Sequence, residues 1–379
     1  MKLLIAQSNL VLKGGAERVV LKIAEHYNAK IYTAEYDKRR TFEEFKDLDV
    51  EVIGKNALLK LFPYGRISQG LNYGLSFYDY KIKDDYDVLN AHIAPSHWIR
   101  NKNDRVLWYC HTPLRDVYDL YEYRLSLRKP YQRPIYKIGA AAVRMIDQHI
   151  VKNIERIVAN SANTRSRIEK YYGRNDAIVL GGGIDYEKFR NDGDKKYFFY
   201  PSRISPNKRQ EYVLHAFEML KKRLHGYKLV LAGDVSKDRF YYDYYLRIKK
   251  LAERISDVRI VEGPPDSKLI DLYAGSTAVL FSAINEDYGL VPLEAMASSK
   301  PIISVNEGGP RETVINGKTG FLVNSVKEMA DRMYEIAQDE QLAERMGRNG
   351  RKRIVEKYSW KHFFKEYDKI LKEMAKKSG

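Results

Sequence analysis

Short apolar runs alternate with helix-patterned segments along nearly the whole chain, and no other property restricts its fold so strongly. Neighbouring parallel strands must be joined by a long crossover, usually a helix, so a repeated β–α rhythm points to parallel sheets faced with helices. In the first half the strand candidates are Leu3–Ala6, Ala29–Thr33, Val50–Ile53, Asp87–Ala91, Val106–Cys110, Ile157–Asn160 and Ala177–Leu180. A second series runs through Tyr197–Tyr200, Lys228–Ala232, Val258–Val261, Ala278–Ser282, Pro301–Val305 and Phe321–Val323. Between the two lie Gly181-Gly182-Gly183-Ile184-Asp185 and the charged run Asn191-Asp192-Gly193-Asp194-Lys195-Lys196, a composition that suits a linker. At 379 residues the chain exceeds one ordinary core. The expected fold class is therefore α/β, with one parallel-sheet domain over 1–192 and a second beginning at 193.

Composition narrows the setting. Hydrophobic residues at 44% and charged residues at 31% describe a soluble globular chain. The longest apolar stretches, such as Ile138-Gly139-Ala140-Ala141-Ala142-Val143, fall far short of the roughly 20 residues a membrane span needs. Met1–Ala6 resembles the start of a leader, but the apolar run stops at Gln7-Ser8-Asn9 and no cleavage site follows, so a first strand is expected there. A single cysteine, Cys110, excludes an intrachain disulfide and a cysteine-cluster metal site, and fits a reducing cytoplasm. The net charge of +16 implies an anionic partner: nucleic acid, an anionic membrane or a phosphorylated substrate.

The densest chemical signal is Glu286-Asp287-Tyr288-Gly289-Leu290-Val291-Pro292-Leu293-Glu294. Its second half is expected to open a helix with Pro292 at the first position, where a missing amide costs nothing. Free amides at such an N-terminus suit a phosphate. A carboxylate there would repel one, so Glu294 is better explained as a bidentate acceptor for a sugar diol, and Glu286 as an acceptor for further hydroxyls. Phosphate flanked by two sugars describes a nucleotide-sugar. Taken alone, the two glutamates also fit solvated surface charges.

Three other segments carry phosphate or cleft chemistry. Lys13-Gly14-Gly15-Ala16-Glu17-Arg18 places paired glycines between a strand and a helix, which lets backbone approach a ligand; it is neither Gly-x-Gly-x-x-Gly nor a P-loop. Pro201-Ser202-Arg203-Ile204-Ser205-Pro206-Asn207-Lys208-Arg209 puts Arg203 at the carboxyl end of a strand, where open α/β sheets hold ligands, with Lys208 following; together they suit a diphosphate. Tyr109-Cys110-His111-Thr112-Pro113 sets His111 at another strand end, where it is either a cleft residue or a structural histidine.

In this order the motifs resemble those of the retaining nucleotide-sugar glycosyltransferases of family 4. The resemblance runs nearly end to end, through Gly14-Gly15-Ala16-Glu17, Asn160-Ser161-Ala162-Asn163-Thr164, Gly183-Ile184-Asp185 with Phe189, Arg203 and Lys208, Leu231-Ala232-Gly233-Asp234, Glu286–Glu294 and Glu307-Gly308-Gly309-Pro310-Arg311-Glu312. Cys110-His111-Thr112-Pro113-Leu114-Arg115-Asp116 looks like the mannosyltransferase subgroup that builds O-antigen and related surface glycans. Ser202 departs from the glycine that the family usually has before the arginine. The resemblance implies a GT-B architecture, two Rossmann-like doubly wound domains facing across a cleft: 1–192 for the acceptor, 193–358 for the nucleotide-sugar, and a helix within 359–379 crossing back to the first.

It also implies roles. Glu294 binds the nucleotide ribose, and Glu286 the donor sugar with the backbone of Asp287, Tyr288, Gly289 and Leu290. Arg203 and Lys208 hold the diphosphate and stabilise it as leaving group. The base lies near Val261-Glu262-Gly263, with Glu262 counted among the donor-binding residues; Gly14 and Gly15 close over the donor, and His111 faces its sugar. Family membership implies retention, with Glu286 as an electrostatic and orienting group and the donor phosphate taking the acceptor proton. GDP-mannose is the expected donor; a UDP-sugar on the same fold is the alternative.

No metal and no other cofactor is expected. The Asp-x-Asp triplets Asp47-Leu48-Asp49 and Asp85-Tyr86-Asp87 lead into strands, and Asp192-Gly193-Asp194 lies in the linker, so none stands at a strand's carboxyl end. The acceptor is expected to be a glycan on a lipid-diphosphate carrier at the cytoplasmic face of the cell membrane. Two basic, aromatic stretches, 54–82 and 114–156, suit a membrane interface or an ordinary surface helix, and Ile138, Ala142, Met145, Ile146 and Ile150 approximate a helical stripe. Epimerase or phosphorylase chemistry on this architecture, and a basic nucleic-acid-binding protein, are the rivals. No zinc, helix-turn-helix or RNA-recognition signature supports nucleic acid as a partner.

Overall fold

A computed structural model of the chain describes residues 1–54 and 66–376. Among the described residues, two fully parallel sheets form, of seven and six strands. The first contains β1 (Leu3–Gln7), β2 (Lys30–Thr33), β3 (Val50–Val52), β4 (Val88–Ala91), β5 (Val106–Cys110), β6 (Arg156–Ala159) and β7 (Ile178–Val179), in the order β3-β2-β1-β4-β5-β6-β7. The second contains β8 (Tyr197–Pro201), β9 (Lys228–Gly233), β10 (Val258–Glu262), β11 (Ala278–Phe281), β12 (Ile302–Val305) and β13 (Gly320–Val323), in the order β10-β9-β8-β11-β12-β13. Every strand expected from the sequence is present, with ends shifted by a residue at most.

The apolar runs read as strands because both faces of each sheet are covered. Along β8, Phe198 and Tyr200 enter one core with Val213, Phe217 and Leu231, while Phe199 enters the opposite one with Tyr273, Leu293 and Met296. Strand order reverses between β1 and β4 in the first sheet and between β8 and β11 in the second. Ligands of open α/β sheets sit outside the carboxyl ends at such a reversal. There the chain places the Arg203 turn, after β8, and the Glu286 loop, after β11.

The chain divides into two compact units, Met1–Gly181 with the segment from Phe364 onward, and Gly182–Phe363. The division falls at Gly181/Gly182 and not at the charged run, because residues 182–192 pack with the second unit. Ile184, Tyr186 and Phe189 join its core, and Tyr288 donates to the Gly182 carbonyl at 2.8 Å. Gly183 must be glycine, since a Cβ there would lie 2.8 Å from the Trp360 backbone. The last helix, Trp360–Lys376, buries Phe363, Tyr367, Ile370, Leu371 and Met374. Within the first unit, Tyr27 donates to Asp368 at 2.7 Å and His26 stacks on Phe364.

One helix departs from its expected pattern. In Arg133–Asn153 the core side is Tyr136, Ala140, Val143, Asp147, Ile150 and Val151. Ile135, Ile138 and Met145 are 76%, 72% and 69% exposed, and Ala142 is exposed beside them. The expected stripe therefore divides: Ile150 faces the core, while Ile138, Ala142 and Met145 lie on the far side of the helix. Asp147 is fully buried and accepts from His97, Trp98, Tyr118 and Tyr172, which ties the helix to its neighbours. Of the basic, aromatic stretch at 54–82, Lys55, Leu58, Leu59, Lys60, Leu61, Phe62 and Tyr64 lie outside the described residues. No helix among the described residues is long and apolar enough to cross a membrane.

Candidate active site

The cationic turn after β8 is braced from both sides. The Ser202 amide donates to the Ala232 carbonyl at 2.9 Å, and the Ile204 amide to the Asp234 carbonyl at 3.0 Å. Gly233 allows that approach, because a Cβ there would sit 1.9 Å from the Ser202 carbonyl oxygen. Ser202 contributes as well: its hydroxyl accepts from Gln210 at 2.8 Å, tying the turn to the helix Gln210–Lys221. Arg203 is exposed, and no ion pair or side-chain hydrogen bond holds its guanidinium among the described residues. An exposed, unengaged guanidinium beside a switch point suits an anion.

Lys208 is anchored. Its ammonium donates to Glu286 Oε2 at 2.6 Å, and its carbonyl accepts from Tyr200 and from Ser282, the latter at 2.9 Å. Arg209 extends the link, donating to the Ser282 carbonyl at 2.6 Å and to Glu307 at 2.9 Å. The turn after β8, the loop after β11 and the loop after β12 thus form one bonded assembly.

Two glycines let those loops touch. The Gly309 amide donates to the Glu286 carbonyl at 2.8 Å. A Cβ on Gly308 would lie 2.3 Å from the Glu286 carbonyl oxygen, and one on Gly309 would lie 2.3 Å from that of Tyr288. Gly308 also has φ +61, a conformation glycine adopts at little cost.

The helix after Glu286 spans Leu290–Ala297 and is capped by Gly289 at φ +84. Pro292 therefore sits third in the helix and not first. The sequence reading differs because a left-handed glycine starts the helix two residues early; the third amide is still unpaired, so proline remains compatible. Glu294 lies about one turn in, half-buried, and Tyr273 donates to its Oε2 at 2.6 Å. Burial, and then the Glu294 carboxylate, push the Tyr273 hydroxyl well above its ordinary pKa, so it stays a donor. Asp287 and Tyr288 line the same loop, half-buried. Glu262 ends the edge strand β10, exposed, where it accepts from Tyr245.

In the first unit Gly14 caps the helix Gly15–Tyr27 without a side-chain bond, following β1. His111 follows β5, its carbonyl held by Asn160 Nδ2 at 2.9 Å and its Nε2 3.1 Å from His92 Nδ1. Burial lowers the His111 pKa to about 3, so its ring is neutral at physiological pH. Among the described residues no group of three or more His, Cys, Asp or Glu side chains gathers to hold a metal ion.

Two family models meet near the division between the units. Residues 13–188 match Glycosyltransferase Family 4 and residues 184–353 match Glycosyl transferases group 1. The chain is a glycosyltransferase that carries both of these domains. It is 29% identical to mouse alpha-1,3/1,6-mannosyltransferase ALG2, covering 91% of this chain and 90% of that one. The Dictyostelium discoideum ALG2 enzyme is 26% identical, with 95% and 96% covered. Among solved structures, Anabaena Alr3699/HepE in complex with UDP matches with TM-score 0.77 at 18% identity, covering 98% and 100%. Sucrose-phosphate synthase from Thermosynechococcus elongatus matches at 0.78 and 18%, with 99% of each chain covered. These likenesses establish the GT-B class of fold.

Sequence reasoning about this glycosyltransferase missed Tyr273, Ser282, Arg209 and the acidic role of Glu307. Only the pairing of Arg209 with Glu307 had a visible trace, as opposite charges beside two motifs already singled out. Tyr273 and Ser282 read as ordinary core and loop residues until the fold sets them behind Glu294 and Lys208.

Proposed function

We propose that this glycosyltransferase moves mannose, with retention of configuration, from GDP-mannose to a glycan on a lipid-diphosphate carrier. The observation that carries this reading is the assembly at the second switch point. Lys208 is bonded to Glu286, Arg203 is exposed in the same turn as Lys208, and Glu294 lies one turn into the helix that follows Glu286. Transfer requires charge to develop on a departing diphosphate, and fixed cations aimed at that charge act most strongly in a preorganised site. The similarity to alpha-1,3/1,6-mannosyltransferases over most of the chain supports mannose.

Glu286 shares its charge with Lys208 at 2.6 Å. A carboxylate so compensated is a poor nucleophile and a good orienting group, which supports internal return, with the leaving phosphate taking the acceptor proton. Metal independence rests on the same placement: the carboxyl end of β8 carries cations where a metal-dependent site would need a carboxylate pair. His111, Gly14 and Gly15 are assigned to the donor sugar and its phosphates from the first domain, and Glu262 to the base.

The membrane face is assigned to the far side of the helix Arg133–Asn153. Exposed Ile135, Ile138 and Met145 form an apolar ridge flanked by Lys129, Arg133 and Lys137, also exposed. Such a ridge suits the boundary of anionic headgroups and acyl chains. Co-sedimentation with anionic but not neutral vesicles at low salt is expected, reduced by Ile135→Ser with Ile138→Ser; equal binding of the variant removes this face as the contact.

Donor and site are tested together by thermal unfolding with GDP, UDP, ADP and their sugar conjugates. Stabilisation of about 2.7 kcal/mol is expected from GDP-mannose at ~100 times its dissociation constant. A preference for UDP would keep the fold and chemistry and discard GDP-mannose. Binding that falls with log salt on nucleic acid, and no nucleotide response, would overturn the reading. Turnover without acceptor would point to an epimerase, and dependence on inorganic phosphate to a phosphorylase.

A further inference from the structure

Behind His111 runs a chain of buried polar groups whose proton positions can be deduced. His92, just after β4, places Nδ1 3.1 Å from His111 Nε2 and Nε2 2.7 Å from Asn90 Oδ1. The Tyr367 hydroxyl, from the C-terminal helix, donates to the same Asn90 oxygen. The orientation of the Asn90 amide is fixed by its other side, where Nδ2 faces the Leu107 carbonyl at 3.1 Å and the Ala91 carbonyl at 3.5 Å. Two carbonyls can only accept, so the nitrogen must point at them and the oxygen at His92 and Tyr367.

From there each proton has one place. Asn90 Oδ1 is an acceptor, so His92 Nε2 carries a hydrogen. His92 is fully buried, and burial, then the neighbouring His111, hold its pKa well below the ordinary histidine value. It is neutral, and its Nδ1 is a bare lone pair. His111 Nε2 must then donate to it. His111 is neutral as well, which leaves its Nδ1 unprotonated and without a hydrogen-bond partner among the described residues. Stacking of His92 on Tyr109, with centroids 5.3 Å apart, fixes the plane of the ring.

We propose that Tyr367, Asn90 and His92 are positioning residues that lock His111 in its Nε2-protonated tautomer, so that His111 meets substrate only as a hydrogen-bond acceptor at Nδ1. This rests on the reading that His111 faces the donor sugar. It gives that contact a direction: the donor must present a hydroxyl to His111, and His111 cannot protonate the leaving group. It also gives the C-terminal helix a part in the site, because Tyr367 holds the same Asn90 oxygen to which His92 donates. A histidine free to choose its tautomer would accept a donor or an acceptor on the sugar; a locked one rejects a sugar lacking the hydroxyl.

The test uses the full chain with ¹⁵N-labelled histidine and long-range ¹H–¹⁵N correlation, which distinguishes the tautomers directly. His111 is expected with Nε2 protonated and Nδ1 bare. His92→Phe keeps a ring against Tyr109 and removes the acceptor, so a protonated Nδ1 population should emerge while the unfolding midpoint shows whether the fold survives. His92→Asn, whose amide oxygen falls near the former Nδ1, should restore the tautomer. Loss of kcat/KM in His92→Phe is expected at about tenfold, the weight of one uncharged hydrogen bond, with recovery in His92→Asn. A protonated His111 Nδ1 in the wild type, or a folded His92→Phe with unchanged tautomer and rate, overturns the lock.

The donor contact is read separately, with GDP-mannose analogues in which single hydroxyls are replaced by fluorine. One position should lose activity in the wild type and not in His111→Ala. Absence of any such position, with the tautomer as expected, overturns the contact and not the lock.

Discussion

Lys208 donates to Glu286 across 2.6 Å, joining the turn after β8 to the loop after β11. The bond holds a cation and an orienting carboxylate at one switch point, while Arg203, earlier in the same turn as Lys208, is left exposed. Both partners are partly exposed, so the pair adds little to folding, on the order of 0–1 kcal/mol. Its weight lies in the charge it presents to a leaving diphosphate. Lys208→Met is expected to lower kcat/KM by roughly 10²–10³, or about 2.7–4 kcal/mol of transition-state stabilisation. The unfolding midpoint should stay near that of the wild type. A large fall in stability with a proportionate fall in activity would make Lys208 a structural residue.

Tyr273 stands behind Glu294 and fixes one carboxylate oxygen at 2.6 Å. Glu294→Ala is expected to abolish the thermal stabilisation given by nucleoside diphosphates, since the diol acceptor itself is lost. Tyr273→Phe should weaken nucleotide binding by about tenfold, corresponding to a hydrogen bond to a charged group of about 1.5 kcal/mol. Preference among the bases should not change. Calorimetric titration of both variants with GDP checks the ranking; equal losses in the two would mean that Tyr273 does more than orient.

Gly309 and Gly317 separate a close approach from a strained turn. A Cβ on Gly309 would meet the Tyr288 carbonyl oxygen at 2.3 Å, whereas one on Gly317, at φ +75, would meet nothing within 4 Å. Gly317→Ala should therefore cost about 1–2 kcal/mol of stability from backbone conformation alone and leave kcat/KM unchanged. Gly309→Ala has to push the Glu286–Leu290 loop away from its place. A displacement near 1 Å costs on the order of 10² in rate, so activity should fall far more than stability. Steady-state kinetics and melting curves on the two variants decide it.

Much of this was legible in the sequence, for local reasons. Strands buried on both faces announce themselves as apolar runs, and the Glu286–Glu294 loop carries its chemistry within nine residues. The helix Arg133–Asn153 was harder: apolar residues occupy two opposite sides of it, and periodicity alone merges Ile138 with Ile150. Pro292 was misplaced because the cap is set by the left-handed Gly289, which proline obscures. The bonds from Tyr273 to Glu294 and from Tyr367 to Asn90 are invisible to local pattern, since they join segments that only the packed fold and the final helix bring together.

His92 and His111 should make the fold acid-sensitive. Both have folded-state pKa values below the ordinary 6.5, the latter at about 3, chiefly through burial. Once unfolded they take up protons near pH 6.5; folded they do not. The unfolded state thus binds more protons as pH falls, and stability that is complete above about 6.5 is lost progressively toward the folded values. Each histidine contributes a slope approaching 1.36 kcal/mol per pH unit below its unfolded pKa. Between pH 6 and 5, before most carboxylates titrate, denaturant unfolding of the wild type should show an excess uptake approaching two protons from this pair. His92→Asn should remove about one of them and flatten the slope accordingly. An identical slope in the two proteins would mean that His92 is already charged in the folded state; its Nδ1 would then donate to His111 Nε2, and the direction assigned to that bond would be reversed.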